Sequence, residues 1–230
     1  MDIILVPGLW LDAASWNPII PALESAGHRP HALTMPGVGA SGAESAGIGL
    51  GDWVAATVAG IDAAEGPVVL VGHSGGGNVV WAAADARPDR VARVIFVDTA
   101  PPADGFGISE FEIVDGVVPF PGWDFFDDGD VSDLTAEIRR RTETLVSSVP
   151  ARVPTDPVSL RDERRYAIPV TMLMGGMSEQ EFEEEVAGWG SAEDEYRSIK
   201  DAEIITIGSG HWPQFSVPDR LAELIVDAIR

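Results

Sequence analysis

Few residues in this chain are equipped for nucleophilic chemistry, and one serine stands out by its company. Ser74 lies in VVLVGHSGGGNVVWAAA (68–84), where Gly72, Gly75, Gly76 and Gly77 crowd around it. A serine hydroxyl is a weak nucleophile until a base takes its proton. The chain offers four histidines and no cysteine, which excludes thiol nucleophiles, zinc–thiolate sites and disulfides. His28 and His31 belong to the approach of an apolar run, and His73 is the neighbour of Ser74 itself. His211 stands apart in GSGHWPQF. A serine followed later in the chain by a histidine, with a carboxylate to orient the imidazole, is the equipment of acyl transfer through a covalent intermediate.

Such a serine must be held in a particular way. Gly72-His73-Ser74-Gly75-Gly76 matches G-x-S-x-G, a weak signal by itself in a chain with 25 glycines. Its context strengthens it. The apolar run PVVLVG (67–72) leads in, and the helix-like stretch 76–86 leads out. A strand-to-helix turn of this kind is a nucleophile elbow. The glycines at 72 and 76 remove side chains that would collide where strand and helix meet. The hydroxyl then projects at a helix N-terminus, where free N–H groups favour negative charge. The Gly75 amide, next after the nucleophile, is one expected oxyanion donor.

The elements that must position these residues are legible as alternation. Six short aliphatic runs recur at 2–7, 29–36, 67–72, 93–98, 169–175 and 202–208. Their near-continuous apolar character predicts a parallel sheet buried on both faces. Helical stretches at 16–26, 52–64, 76–86 and 218–229 fall between or after them. The alternation predicts right-handed crossovers and an α/β fold. His211 follows the last strand and precedes the last helix, so its loop overhangs the same sheet edge as the serine turn. One gap breaks the rhythm. Residues 99–168 are too many for a plain crossover and are rich in Pro, Phe and Trp. This predicts a single domain over 1–230 with an inserted lid at about 101–165, helical near 133–148. Gly37-Val38-Gly39-Ala40-Ser41-Gly42 is a literal G-x-G-x-x-G. It leaves the second strand, not the first, and the glycines after it disfavour a helix start, so it reads as a mobile loop at a pocket mouth rather than a dinucleotide site.

LVPGLWLDAASW near the N-terminus, MPGVGASG after the second strand, VGHSGGG and GSGHWPQFSVPDRLAELI together resemble the α/β-hydrolase superfamily, within its small methylesterase and hydroxynitrile-lyase-like group. The resemblance spans nearly the whole chain. It implies a three-layer α/β/α sandwich with a six-stranded parallel sheet that lacks the superfamily's first hairpin. It implies Leu9 as the second oxyanion donor, although Pro7-Gly8 stands where the family usually has His-Gly. The acid is ambiguous. The family most often places it in the loop after the penultimate strand, which here reads GGMSEQ and offers only Glu179. The superfamily's alternative position, the end of the strand after the elbow helix, carries Asp98. Asp98 is the preferred expectation and Glu179 the alternative.

Charge and composition bound the partners. The net charge is −22, from 37 acidic and 15 basic residues, which disfavours nucleic acid and anionic membranes. The acidic stretch 127–133 lacks the closing glutamate of an EF-hand loop. MDIILVPG has no basic segment and no long apolar stretch, so the expectation is a cytoplasmic protein without a membrane span. Trp10, Trp123, Phe125 and Trp212 are expected to line the pocket and favour a small apolar or aromatic substrate. The reading is a cofactor-free, metal-free serine esterase or lactonase, as a monomer or homodimer. Two other readings remain. A ligand receptor would keep the triad and turn over slowly. A hydroxynitrile lyase would use it for acid–base work, but plant S-selective lyases have a lysine after the histidine and a threonine in the N-terminal turn, where this chain has Trp212 and Gly8.

Overall fold

The alternating apolar runs become the strands of one sheet. A computed structural model describes residues 1–230. In chain order the first elements are β1 (Asp2–Val6), α1 (Ile20–Ser25), β2 (Arg29–Ala32), α2 (Gly42–Ser45), α3 (Leu50–Ala63), β3 (Val68–His73), α4 (Gly76–Ala86) and β4 (Val91–Val97). The segment after β4 contains β5 (Val117–Val118), α5 (Asp128–Val131), α6 (Ala136–Thr142) and β6 (Val149–Pro150). The chain ends with β7 (Val170–Met174), α7 (Glu179–Val186), α8 (Ser191–Ser198), β8 (Ala202–Thr206), α9 (Pro213–Ser216) and α10 (Pro218–Ile229). Six strands pair in parallel in the order β2-β1-β3-β4-β7-β8. The expected six-stranded α/β/α sandwich is therefore present.

The period of two along each strand divides the core. Ile3, Leu5, Val69, Val71, Ile95 and Val97 pack on one face with Leu23 of α1 and Leu221, Leu224 and Ile225 of α10. Ile4, Val6, Leu70, Val94 and Phe96 pack on the other with Trp53 of α3 and Trp81 of α4. Each large side chain so buried contributes about 1.5–3 kcal/mol relative to exposure. The central strands β1, β3 and β7 are buried throughout, whereas β2 and β8 lie at the edges and alternate or face water. Arg29 and His31 on the edge strand β2 are both tied to Asp2, each at 2.7 Å.

Two expectations need correction. The G-x-G-x-x-G segment does start a helix. Ser41 caps α2, accepting the Glu44 N–H while the Glu44 carboxylate accepts the Ser41 N–H, and this reciprocal cap outweighs the glycines around it. The stretch 133–148 is helical only over α6; Thr135 caps its start, and its tail is turn and loop leading into β6, which pairs antiparallel with β5. The insertion lies against loops at the C-terminal ends of the strands. Ser147 donates to the Trp10 carbonyl at 2.8 Å, Gly39 to Ser148 at 2.8 Å and His211 to Asp130 at 2.9 Å. No helix is long and apolar enough to cross a membrane.

Candidate active site

The turn between β3 and α4 has the backbone its sequence requires. Ser74 has φ of 51°, a left-handed conformation that non-glycine residues rarely adopt. Its N–H donates to Val97 of β4 at 3.0 Å, and its carbonyl accepts from Gly77 at 2.8 Å, so the strained residue is held from both sides. A Cβ on Gly72 would lie 2.6 Å from the Gly76 carbonyl oxygen, and one on Gly76 would lie 2.6 Å from that of Pro7. Both glycines are therefore imposed by close backbone approach. Only four non-glycine residues have positive φ, and three of them, Trp10, Ser74 and Asp98, line one cavity. Strain concentrated in this way marks functional sites.

That cavity has a volume of about 270 Å³ and brings Ser74, His211, Asp98, Leu9 and Gly75 together. His211 Nδ1 donates to Asp98 Oδ2 at 2.5 Å. The other carboxylate oxygen of Asp98 accepts the Gly175 N–H at 2.7 Å. Burial pushes the Asp98 carboxyl up, but the hydrogen bond and charge of His211, with the Gly175 N–H, hold it below its ordinary value. His211 Nε2 makes no hydrogen bond within the protein; Ser74 and His211 line the same cavity, but no hydrogen bond joins the serine hydroxyl to the imidazole. The Leu9 and Gly75 amides likewise have no acceptor within the protein, leaving two donors beside Ser74. Glu179 lies in the exposed first turn of α7, and its neighbour Ser178 is occupied as the cap of that helix.

The backbone of His211 is held from two directions. His73 Nε2–H donates to the His211 carbonyl at 2.7 Å, which leaves Nδ1 as an acceptor, 3.3 Å from Gln214 Nε2. Burial drives the His73 imidazole down to about 3, with the charge of His211 adding to the effect, so it stays neutral and serves as a fixed strut. On the other side the Asp130 carbonyl accepts the His211 N–H, and the Asp133 carboxylate accepts the Gly210 N–H at 2.7 Å. Gly8 is small for the same reason: a Cβ there would lie 2.7 Å from His73 Nδ1.

The aromatic expectations divide. Trp10 and Trp212 line the Ser74 cavity, together with Phe111 and Phe126. Trp212 packs edge-on against Phe126 at 4.7 Å and Trp10 against Phe111 at 4.8 Å. Trp123 and Phe125 do not line it. Trp123 is buried behind Trp212, 5.0 Å between rings, in a small core with Leu11, Leu134 and Phe215. Phe125 is 59% exposed and packs edge-on against Phe126 from outside. The turn Gly122–Phe126 places successive rings on different sides, so adjacent positions cannot share a wall. Asn78 was not anticipated, yet it lines this cavity from the first turn of α4. Its signal was a lone polar residue in the first two turns of α4. No group of three or more His, Asp or Glu side chains is placed to hold a metal ion.

Comparison with known proteins agrees with this architecture. The model of the alpha/beta hydrolase family matches residues 3–224. A probable esterase, PIR7A, from Oryza sativa subsp. indica is 34% identical over 148 residues, covering 62% of this chain and 55% of the relative. The match thus spans about half the length of that curated relative. An extracellular alpha/beta-hydrolase from a Paenibacillus species superposes with a TM-score of 0.77 at 19% identity, covering 99% of this chain and 98% of the other. The methylesterase MES16 from Arabidopsis superposes with a TM-score of 0.74 at 18% identity, covering 100% and 98%. These two likenesses concern the fold. With the family model spanning nearly every residue from β1 to α10, the chain belongs to the alpha/beta hydrolase family.

Proposed function

We propose that the protein is a serine hydrolase of small apolar or aromatic carboxylic esters, lactones included. The observation that carries this reading is the convergence of Ser74, the Asp98–His211 pair and two unpartnered amides on one aromatic-walled cavity. Ser74 Oγ attacks the ester carbonyl while His211 Nε2 takes its proton. The Leu9 and Gly75 N–H groups receive the oxyanion. Collapse of the tetrahedral intermediate breaks the bond to the alkoxy oxygen, which leaves with the proton from His211. Water, deprotonated by His211, then attacks the acyl-enzyme and releases the acid and Ser74. Asp98 keeps Nδ1 protonated and stabilises the imidazolium. The chemistry needs no cofactor or metal. The name of the probable esterase relative supports the ester class, and the insertion between β4 and β7 would act as the lid that closes over it.

The test pairs a fluorophosphonate probe with a panel of p-nitrophenyl esters and lactones of increasing acyl size. The expected result is one adduct on the peptide containing Ser74 and sustained turnover of at least one short ester. Ser74→Ala should lose the adduct and reduce kcat on the order of 10³-fold or more. Labelling of Ser74→Ala as strong as wild type would overturn the nucleophile. A single turnover followed by arrest would point to a ligand receptor instead.

A further inference from the structure

A second, larger chamber adjoins the Ser74 cavity. It has a volume of about 560 Å³. The two share Asn78, Asp98, Thr99, Ile108 and His211, so they adjoin at a polar junction. Asn78 is only 7% exposed. Its side-chain amide makes no hydrogen bond to the protein, yet it is not among the polar atoms sealed from the surface, so what exposure it has opens onto the chambers. The Thr99 hydroxyl at the same junction is also free of protein partners.

An amide in this position serves no purpose in the scaffold. The following α4 residues Val79, Val80 and Trp81 are fully buried and apolar. Asparagine is a poor helix former, and a buried amide without a partner is destabilising. A leucine would fill the same space without either penalty. Polar groups left unsatisfied at the wall of a cavity fix the orientation of a ligand.

The charge of the larger chamber narrows the ligand. Asp130 and Glu185 are in its wall, and no lysine or arginine is. Burial holds the Asp130 carboxyl above its ordinary value, against the opposing charge of His211. A carboxylate entering here would meet Asp130 and Glu185 with no lysine or arginine to pair with, and His211, the one group that can carry positive charge, is already paired with Asp98. Phe106 and Trp189 line the chamber and are 58% and 37% exposed, so it is open and can admit a bulky group.

Building on the hydrolase reading, we infer that the larger chamber receives an uncharged, hydroxyl- or carbonyl-bearing portion of the ester, recognised by Asn78 at the junction, and rejects carboxylates. Asn78 offers both a donor and an acceptor, and Thr99 can act in either role beside it. A substrate with a purely alkyl group there leaves the amide unpaired and forfeits that bond.

The experiment uses matched trios of esters ending in methyl, hydroxymethyl or carboxylate, with the variable group placed first on the acyl side and then on the alcohol side. In one of these orientations kcat/KM should favour hydroxymethyl over methyl about tenfold, the size of one buried hydrogen bond. The carboxylate should be the poorest of the three. Asn78→Leu should bring the hydroxymethyl-to-methyl ratio close to one and raise Tm; Asn78→Ala serves if the leucine variant misfolds. Calorimetric binding of the same esters to Ser74→Ala, with and without the Asn78 change, reads the preference without turnover. Binding that prefers hydroxymethyl through Asn78 in a protein that hydrolyses nothing would sink the hydrolase reading and keep the chamber. A ratio near one in both orientations, or a ratio unmoved by Asn78→Leu, would overturn the chamber's assignment.

Discussion

Helix α4 joins two polar regions that obey opposite rules. Its eleven residues span about 16 Å. In its last turn lies Asp85, whose carboxylate accepts the Arg161 N–H at 2.9 Å, the Asp162 N–H at 2.8 Å and an N–H from Arg165 Nη1 at 3.0 Å. Arg165 reaches on to both oxygens of Glu195 in α8, at 2.7 and 2.9 Å, and Glu195 also accepts from Trp81 and Tyr166. A carboxylate near a helix C-terminus is unfavourable, and these donors offset it. At the other end Ser74, the Gly75 amide and Asn78 have hydrogen-bonding capacity that the protein does not use. One end has its polar groups matched to one another; the other leaves them without protein partners, with Ser74 held in a strained conformation. The difference separates groups that fix the helix from groups that the fixed helix presents.

The contrast breaks most sharply if the open end is altered. Asp98→Asn leaves the shape intact but removes the charge that faces His211, and kcat should fall on the order of 10³-fold or more. Glu179→Gln changes an exposed residue in the first turn of α7 and should leave kcat within about twofold. Steady-state kinetics on both variants, each checked for folding by circular dichroism, decides between the two carboxylates. Loss of activity only in Glu179→Gln would reassign the acid.

At the matched end the expected loss is stability rather than chemistry. Glu195→Ala strands the Arg165 guanidinium, which is 6% exposed in its side chain, and should destabilise the fold by about 3–5 kcal/mol. Well below the new Tm, the rate of phosphonate labelling at Ser74 should stay near wild type. Labelling that collapses while the fold persists would mean that the two ends of α4 are not separable. Trp123→Ala sharpens the same division. This ring backs Trp212 without reaching the cavity, so the expected cost is about 3 kcal/mol of stability from lost packing. A marked change in acyl-length preference with an unchanged Tm would return Trp123 to the substrate wall.

These assignments show what a sequence can convey about such a site. The central strands were legible because both faces of the sheet are covered there, so β1, β3 and β7 wrote nearly unbroken apolar runs, while β2 and β8 at the edges wrote weaker ones. The elbow was legible because close backbone approach admits only glycine at 72 and 76, and four histidines left few candidates for a base. The acid was legible only as a preference for Asp98 over Glu179. Whether Asp98 or Glu179 meets His211 depends on the register of β4 with β7, where Asp98 donates its N–H to Leu173 and accepts that of Gly175. That pairing joins residues more than seventy positions apart and leaves no local pattern. The aromatic wall was half legible. Trp10 and Trp212 adjoin residues of fixed position, whereas Trp123, Phe125 and Phe126 lie on an irregular turn without a period to reveal which way each ring points.

The smallest expected effect concerns acid, and it tests whether the Asp98–His211 pair is a true ion pair of the folded state. Asp98 has its folded value depressed below the ordinary 3.8. In the window between the folded value and 3.8 the unfolded chain binds more protons than the folded one. The pair's contribution is therefore fully present above that window and is lost as pH falls through the folded value. One proton limits the slope to about 1.4 kcal/mol per pH unit. Urea unfolding of wild type and Asp98→Asn at pH 5, 4 and 3 isolates it, because the other carboxylates cancel in the difference. Wild type should lose stability relative to Asp98→Asn across that series, and a constant gap would show that His211 does not depress Asp98. The same comparison in a His211→Ala background should lose most of its slope. The two largest downward influences on this carboxyl, the hydrogen bond and the charge of His211, are then gone, and burial, which acts upward, opposes what remains. A slope removed by one substitution, 113 positions along the chain from Asp98, would trace the depression to the histidine and not to the Gly175 amide that remains.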